Sequence, residues 1–364
     1  MAGEKIRVLI VEDSAFMRKA IKEILDKDRF IEVIGTARDG EEGVKKAREL
    51  KPDVITMDIN LPGMDGITAM QYIVNDNICP VIMLSSLTQE GAMATFEALE
   101  LGAFDYIPKP GGTISLNIKN IAAQIVEKIK TAAKSKSLKR LQSRLKQTKN
   151  TVEKEKSSQS SLPETINVDK AVAIGISTGG PTTLVNVLSQ IPKDLDAAVF
   201  IVQHMPPNFT ASFAQRLDKH SGIRIKEAAS GDVVMNNRGY LAKGGFHLVL
   251  RQKSDRSIQI RIPTIPEHLF IPSVGVMMES VLKIFGDRTV GVIMTGMGDD
   301  GADAMVKIKE AGGITIAESE ETAIVYGMPK EVVDRGAADA VVPSYQIADE
   351  IVKALEKIDR RKKS

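Results

Sequence analysis

The sequence has no tryptophan, one cysteine and no long apolar run. The missing tryptophan excludes no function. Because Cys79 is the only cysteine, the chain cannot form an intrachain disulfide, which fits a reducing cytoplasm. No apolar run reaches the roughly 20 residues that a membrane-spanning helix needs, and the first residues lack a signal-peptide layout. We therefore expect a cytoplasmic protein without direct membrane insertion.

Strong charge of one sign is also missing. The 364 residues are 26% charged, yet the formal net charge is only +2. A balanced chain has no strong field that would attract nucleic acid or a membrane surface. It also has no metal-finger spacing and no basic recognition helix, which disfavours a DNA-binding output. The length allows two substantial hydrophobic cores.

A polar segment divides the chain into two α/β regions. Residues 130–168 are rich in Lys, Ser, Gln and Thr, whereas the flanking regions alternate strand and helix patterns. The sequence thus predicts domains at residues 1–129 and 169–364, joined by a linker at 130–168. The linker's basic run has no interleaved aromatic residues, so a solvated tether is favoured over a nucleic-acid contact. Its leucines at helical spacing predict that its first part extends the preceding helix: Leu138, Leu141 and Leu145.

Ser177 stands at a predicted corner between a strand and a helix. The apolar run 171–176 precedes it, and Gly179, Gly180 and Pro181 follow it as a tight turn and helix start. A hydroxyl at this corner is exposed beside helix amides that can stabilise an oxyanion, as a nucleophile requires. The same turn also fits a phosphate cradle or a purely structural turn, so this motif alone leaves the choice open.

Two further strand ends supply a candidate general base and a carboxylate that can orient it. His204 follows the apolar run 197–202, and the run 289–294 leads to Asp299 and Asp300. The carboxyl ends of parallel strands meet at one sheet edge, so these side chains are expected near the Ser177 corner. A carboxylate there can hold the tautomer of the histidine. Alternatively, an aspartate there caps the following helix.

The segment 170–356 resembles the catalytic domain of the chemotaxis receptor methylesterases, the CheB family. The resemblance rests on four ordered motifs: I-S-T-G-G-P, Q-H-M-P-P, T-G-M-G-D-D-G and V-Y-G-M-P. It implies the triad Ser177, His204 and Asp300, with backbone amides near Thr178 and at Met297 stabilising the oxyanion.

The chain departs from the family pattern at a few positions. Ile271 stands where the family usually has Arg, and Gly275 stands where it has an acidic or amide residue. The family's A-P-G is A-K-G here, at residues 242–244. These changes spare the triad, but they can alter substrate positioning or domain contacts.

Carboxylates gather at the strand ends of the first region. Glu12 and Asp13 follow the apolar run 6–11, and Asp58 follows the run 53–57. Neighbouring carboxylates repel one another and favour a hard cation, and an oxygen-rich pocket suits Mg²⁺. Asp58 can then attack a phosphoryl donor while the metal neutralises charge on the transferred group.

Residues 4–128 resemble a response-regulator receiver domain. The matching motifs are V-E-D-S-A-F-M-R, M-D-I-N-L-P-G-M-D-G, L-S-S and Y-I-P-K-P. The resemblance implies that Asp58 is the phospho-acceptor and that Glu12, Asp13, Asp58 and the carbonyl of Asn60 ligate Mg²⁺. It also implies three supporting residues. Lys109 would contact a phosphoryl oxygen, Ser85 would be the hydroxyl switch, and Tyr106 would be the aromatic switch.

The predicted fold class is α/β, with two doubly wound parallel-sheet domains. The first is a flavodoxin-like receiver, and the second is a Rossmann-like methylesterase domain with an added antiparallel hairpin. Four short strand patterns separated by Gly, Asn and Asp turns predict antiparallel hairpins attached to the second sheet. These patterns lie at residues 223–228, 240–242, 247–250 and 257–262.

The two resemblances together imply a phosphorylation-regulated serine hydrolase. It would demethylate glutamate methyl esters, and deamidate glutamines, on methyl-accepting chemotaxis receptors, with a chemotaxis histidine kinase as phosphodonor. The esterase chemistry would need no cofactor. We further expect the unphosphorylated receiver to block the edge that bears Ser177. The alternative is a non-enzymatic response regulator whose second domain binds a nucleotide or a protein partner.

Overall fold

The computed structural model describes residues 4–109, 114–135 and 168–363. The chain forms two compact units, Met1–Glu155 and Lys156–Ser364. The predicted linker helix at Leu138 to Leu145 lies outside the described residues. The domain limits 1–129, 130–168 and 169–364 remain predictions. None of the helices in the described ranges is long and apolar enough to cross a membrane.

In its described residues, 4–109 and 114–135, the first unit alternates five strands with five helices. In chain order they are β1 (Ile6–Val11), α1 (Ala15–Leu25), β2 (Ile31–Ala37), α2 (Gly40–Leu50), β3 (Val54–Asp58), α3 (Gly66–Asn75), β4 (Val81–Ser85), α4 (Gln89–Glu100), β5 (Asp105–Pro108) and α5 (Ile114–Lys134).

All strand pairs of the first sheet are parallel, in the order β2-β1-β3-β4-β5. This is the flavodoxin-like order of a doubly wound sheet, so the fold prediction for this unit is confirmed. Strands β3 and β4 are buried along their whole length, as expected for strands covered by helices on both faces. Ligands of such sheets bind at the carboxyl ends of the strands.

Residues 168–363 of the second unit continue the same plan with nine strands and six α-helices. They are β6 (Ala171–Ile176), α6 (Gly180–Leu188), β7 (Ala198–Gln203), α7 (Pro207–His220), β8 (Arg224–Glu227), β9 (Arg238–Leu241), β10 (Val249–Gln252), β11 (Ile258–Arg261), α8 (Val274–Phe285), β12 (Thr289–Ile293), α9 (Ala302–Glu310), β13 (Ile314–Glu318), α10 (Met328–Asp334), β14 (Ala340–Val342) and α11 (Ile347–Lys363).

Seven of these strands form one parallel sheet in the order β14-β13-β12-β6-β7-β9-β8. Strands β6 and β7 lie at its centre, and both are buried throughout. Alternate side chains of the two strands belong to one buried core cluster with helix α8: Ala171, Ala173, Ala198, Phe200 and Val202. The Rossmann-like prediction is therefore confirmed. The carboxyl ends of β6 and β7, which precede Ser177 and His204, lie at the centre of the sheet.

The predicted antiparallel hairpins are only partly correct. Strands β10 and β11 pair antiparallel as a separate two-stranded sheet, which confirms one hairpin. Strands β8 and β9 instead pair parallel within the main sheet. The connection between them turns at Gly231 (φ 95°) and at Asn237 (φ 58°). It also bridges to the hairpin at Val233 and Gln259, so the chain returns in its original direction.

Side-chain caps begin many of the helices. The N-cap side chains that accept a backbone N–H from the first turn are Ser14, Asp39, Asp65, Thr88 and Ser273. Helices α6 and α9 differ, because each follows a glycine in the left-handed region without a side-chain cap. These glycines are Gly179 (φ 77°) and Gly301 (φ 94°).

Candidate active site and phospho-acceptor site

Three carboxylates meet at the carboxyl edge of the first sheet. One oxygen each of Glu12, Asp13 and Asp58 lies within 4.8 Å of the others. Glu12 and Asp58 are buried, whereas Asp13 is exposed. Strands β1 and β3 bring them together, because these strands are hydrogen-bonded neighbours with Val11 beside Met57. A set of anionic oxygens at this spacing fits a hard divalent cation.

Lys109 is the cation that contacts this cluster. Its Nζ lies 2.6 Å from Asp58 Oδ2 and 2.9 Å from Glu12 Oε2. Burial raises the pKa of Glu12 to about 7, against the opposing effect of Lys109. Burial also raises the pKa of Asp58, although the hydrogen bond from Lys109 lowers it. One lysine therefore does not offset the desolvation of both carboxylates, and a further cation would stabilise them.

The remaining receiver residues lie around this edge. The Asn60 N–H donates to Asp58 Oδ1 at 3.2 Å. Ser85 ends β4 and follows Leu84, which pairs with Asp58. Its hydroxyl donates to the carbonyl of Gly91 at 3.1 Å and accepts from Thr95 Oγ1 at 2.6 Å. Tyr106 is buried in β5, and burial raises its pKa well above the usual value. The metal-ligating carbonyl of Asn60 and the switch roles of Ser85 and Tyr106 stay predictions.

Ser177 and His204 follow neighbouring strands in matched register. Ile176 of β6 pairs with Gln203 of β7, so Ser177 and His204 are the next residues on two backbones about 4.8 Å apart. The His204 N–H donates to the Ile176 carbonyl at 3.1 Å. Gln203 ties the two ends together, because its amide donates to the carbonyls of Ser177 (2.9 Å) and His204 (3.2 Å). A Cβ at position 180 would clash with Gln203 Oε1, so the glycine there leaves room for the Gln203 side chain.

His204 is oriented by Asp300. Its Nε2 lies 2.8 Å from Asp300 Oδ2, and both side chains are nearly inaccessible. An ionised carboxylate only accepts, so Nε2 carries the proton and Nδ1 keeps its lone pair. Nδ1 is buried and has no hydrogen-bond partner. The imidazole thus has an unused basic nitrogen in the tautomer that a general base needs.

The start of α8 holds Asp300. Its Oδ1 accepts from Ser273 Oγ at 2.8 Å and from the Gly275 N–H at 2.9 Å, and its Oδ2 accepts from the Val274 N–H at 2.7 Å. Burial alone raises the pKa of Asp300, but hydrogen bonds from His204 and these amides lower it to about 2. The carboxylate is therefore a fixed anion.

The alternative in which an aspartate side chain caps the helix after strand β12 is wrong. The N-cap of α9 is Gly301, and no side chain caps that helix. Asp300 binds instead the first amides of α8, which is distant in sequence. Asp299 is largely exposed and ion-pairs with Arg335 at 3.3 Å.

The predicted oxyanion donors lie beside Ser177. The Ser177 N–H donates to the carbonyl of Thr295 at 2.9 Å, and Thr295 Oγ1 donates to the carbonyl of Thr178 at 2.9 Å. These bonds dock the loop that contains Met297 against the serine corner. A Cβ at Gly296 would lie 2.8 Å from the Ser177 Cβ, so this approach requires glycine. The donor roles of Thr178 and Met297 stay predictions.

Sequence reasoning missed several residues that build this edge. Phe270 stacks on the His204 ring, with centroids 4.2 Å apart and planes inclined by 10°. Ser273 donates to Asp300, and the buried Glu318 accepts the Thr295 N–H at 2.8 Å. The departure at Gly275 concerns this site directly, because its N–H donates to Asp300. The P-S-V motif that contains Ser273 was the only signal for these contacts.

Comparisons with known proteins agree with both units. The family described as CheB methylesterase matches residues 172–351, and the response regulator receiver domain family matches residues 8–119. A protein-glutamate methylesterase/protein-glutamine glutaminase of Syntrophomonas wolfei is 55% identical, covering 97% of this chain and all of the relative. A Pyrococcus horikoshii protein of the same description is 46% identical, covering 98% of this chain and 95% of the relative.

A solved structure of a catalytic domain is similar to the second unit. The crystal structure of the Thermotoga maritima CheB methylesterase catalytic domain has a TM-score of 0.50 and 39% identity. It covers 51% of this chain, and the match includes 99% of the solved chain.

Proposed function

Because the chain belongs to the CheB methylesterase family and carries a receiver domain, we propose that Ser177, His204 and Asp300 hydrolyse glutamate methyl esters. The protein is a protein-glutamate methylesterase and protein-glutamine glutaminase of chemotaxis, regulated by phosphorylation of its receiver. The non-enzymatic alternative is not favoured, since relatives matching nearly the whole chain are named as these enzymes.

The free nitrogen of His204 is the observation that carries the proposal. Nδ1 takes the proton of the Ser177 hydroxyl, and the serine oxygen attacks the ester carbonyl. The amides of Thr178 and Met297 stabilise the oxyanion. The new Nδ1–H then protonates the leaving methoxide, which departs as methanol. Water, deprotonated by Nδ1, hydrolyses the acyl-enzyme and restores the serine hydroxyl. Asp300 stabilises the imidazolium throughout and stays ionised.

The same steps deamidate a glutamine side chain, whose amide nitrogen takes the proton from Nδ1–H and leaves as ammonia. The chemistry uses only side chains and backbone amides, so we propose no cofactor for the esterase unit. We propose that the substrates are methylated cytoplasmic helices of chemotaxis receptors, and that the protein therefore acts in the cytoplasm. The single, buried Cys79 is compatible with that compartment.

In the receiver we propose Asp58 as the residue that accepts a phosphoryl group from a chemotaxis histidine kinase. Glu12, Asp13, Asp58 and the Asn60 carbonyl would hold Mg²⁺, which when bound neutralises charge on the transferred group. Lys109, already 2.6 Å from Asp58, would pair with a phosphoryl oxygen. Phosphorylation of Asp58 would then shift the population toward an arrangement in which the Ser177 edge is open.

The test measures methanol released from receptor that carries labelled methyl esters. Phosphorylated protein should release it, and Ser177→Ala should lower turnover by roughly a thousandfold or more. Ser189→Ala is a matched control, because this exposed serine only caps the end of α6 through the Asn186 carbonyl. A serine-directed acylating reagent should label the wild-type protein and fail to label His204→Ala. Near-normal methanol release by Ser177→Ala would exclude the serine as nucleophile.

A further inference from the structure

His247 is a fully buried histidine that the proposed chemistry does not use. It lies just before β10, with no exposed surface. Its Nδ1 accepts the backbone N–H of Ser273 at 3.2 Å, and its Nε2 lies 2.9 Å from the carbonyl oxygen of Pro266. Both ring nitrogens are therefore occupied by backbone groups of one loop.

The partners of the ring fix its protonation. A backbone N–H can only donate, so Nδ1 must be unprotonated. A carbonyl can only accept, so Nε2 must carry the hydrogen. His247 is thus neutral, in a single tautomer, and acts as a two-point connector.

The loop that His247 holds runs from Pro266 to Ser273 and ends at the triad. Phe270, in this loop, stacks on the His204 ring at 4.2 Å. Ser273 closes the loop, and its hydroxyl donates to Asp300 at 2.8 Å. The His247 ring therefore holds the backbone of the same residue whose side chain holds the triad carboxylate.

Contacts within the loop support the same arrangement. His268 lies edge-on to His247, with ring centroids 6.5 Å apart. Its Nδ1 accepts the N–H of Phe270 at 3.2 Å, which fixes the residue that covers His204. The outer part of the loop is solvent-exposed, and Leu269 is 87% exposed. Such a segment has little packing of its own, so its position depends on a few polar contacts: the two His247 bonds and the Gly245 N–H, which donates to the Ile271 carbonyl at 3.0 Å.

We propose that His247 is a positioning residue of the esterase site, which sets the geometry of His204 and Asp300 through the 266–273 loop. The inference rests on the proposed function, since it assumes that those two residues are catalytic. Loss of the connector would let Ser273 and Phe270 shift. The His204–Asp300 hydrogen bond would then be held less well, while the groups that contact substrate would all remain.

The test compares three substitutions in the full-length phosphorylated protein. His247→Leu removes both polar contacts, His247→Asn can keep an acceptor near the place of Nδ1, and His247→Gln can keep a donor near the place of Nε2. We expect kcat for methanol release to fall about 10- to 100-fold in His247→Leu, with KM changed by less than about threefold. His247→Asn should recover more of kcat than His247→Gln, because only the Ser273 contact leads directly to Asp300.

Two further measurements separate positioning from simple instability. The rate of labelling of Ser177 by a small serine-directed reagent should fall in parallel with kcat, since it needs the base and not the receptor. Circular dichroism should show folded protein at the assay temperature for Asn and Gln. His220→Leu, at the end of α7, is the matched histidine control and should keep wild-type kcat.

The outcomes distinguish this inference from the proposed function. Unchanged kcat and labelling in folded His247→Leu would overturn the positioning role, as would equal kcat in the Asn and Gln variants. If His247→Leu does not fold, the Asn and Gln pair decides. Ser177→Ala, assayed in parallel, tests the function itself: its inactivity with an active His247→Leu would reject only the inference.

Discussion

Asp58 and Asp300 lie at the carboxyl edges of the two sheets, and their pKa values are shifted in opposite directions. Both are buried aspartates near the carboxyl ends of central parallel strands. Burial raises the pKa of Asp58, next to Glu12, whereas hydrogen bonds overcome burial and lower the pKa of Asp300 to about 2. The fold alone therefore does not decide the direction in which the pKa of such a carboxyl is shifted.

The difference lies in the donors. Asp300 accepts four hydrogen bonds, from His204, the Ser273 hydroxyl and the amides of Val274 and Gly275. Asp58 has the ammonium of Lys109 and a single amide, and it shares its edge with two other carboxylates. Both oxygens of Asp300 are hydrogen-bonded, so this carboxylate is suited to orient a base. Asp58 has fewer donors and would be stabilised by a further positive charge, which suits a metal-assisted phospho-acceptor.

The largest effect is expected from Asp300→Asn. Each oxygen of Asp300 accepts two hydrogen bonds, and an amide side chain offers only one oxygen. Either the tautomer of His204 or the contact with α8 must be lost. We expect kcat for methanol release to fall by about 10⁴-fold.

Asp299→Asn is the matched control for that change. Asp299 is exposed and pairs only with Arg335 among the contacts described for it, so kcat should stay within about twofold of wild type. A similar loss in both variants would show that the turn as a whole, and not the contacts of Asp300, controls the rate.

Asp58→Asn should remove regulation and leave basal activity. Asparagine keeps the shape but cannot form an acyl phosphate, so a labelled small acyl-phosphate donor with Mg²⁺ should transfer no label. The rise in methanol release after phosphorylation should disappear with it. Asp76→Asn is the control, because Asp76 ends α3 and pairs with Arg48 at the surface. Normal labelling of Asp58→Asn would move the acceptor to another residue.

Acid should weaken the second unit through Asp300. Its pKa in the folded protein, about 2, lies below the ordinary value of 3.8. The anion therefore stabilises the fold fully above about pH 4, and the contribution is lost as the pH falls toward 2. Between about pH 5 and about pH 2 the free energy of unfolding should fall by about 2 kcal/mol more in wild type than in Asp300→Asn.

Amide hydrogen exchange in β6 and β12 can measure that difference for this unit alone. Parallel curves for wild type and Asp300→Asn would contradict the assignment of a stabilising anion. The first unit offers the opposite case.

The smallest effect is expected from Glu12→Gln without added divalent cation. Burial raises the pKa of Glu12 to about 7, so above neutrality the fold holds a charge that it disfavours. Removing that charge should raise the free energy of unfolding of the receiver by about 1 kcal/mol at about pH 8, although the ion pair with Lys109 is lost. Chemical denaturation measures the change.

Glu42→Gln is the control, and it should change the free energy of unfolding of the receiver in the opposite direction. The hydrogen bond from Lys46 and the Arg38 N–H lower the pKa of Glu42, so its removal should destabilise the receiver slightly. Destabilisation by Glu12→Gln as well would mean that the lysine already compensates the carboxylates.

Many of the strands, and the reactive residues at their carboxyl ends, could be predicted from local sequence patterns. The strands β1 and β6 have the predicted limits, and Ser177, His204 and Asp58 were placed correctly at or beside strand ends. These predictions succeed because a short apolar run followed by glycine or a polar residue determines a buried strand and its end. Parallel strands then share an edge without further information.

Contacts between distant segments could not be predicted in this way. The turn residues around 231 and 237 suggested a hairpin, but the intervening chain contacts β11 and returns β9 parallel to β8. Likewise the alternative that an aspartate at 299 or 300 caps the following helix came from local preference, whereas Asp300 binds the start of α8. Turn propensity and capping preference act over a few residues, and neither identifies the remote partner.

The amino-acid sequence by itself determined two α/β units, the carboxyl edges of their sheets and the types of reactive group along them. Only the tertiary structure decided which nitrogen of His204 is free, which helix holds Asp300, and that His247 connects the two ends of one loop. His204 and Asp300 are 96 positions apart. Strand patterns arise from neighbouring residues, but tautomer and charge depend on donors and acceptors that meet only after the chain has folded.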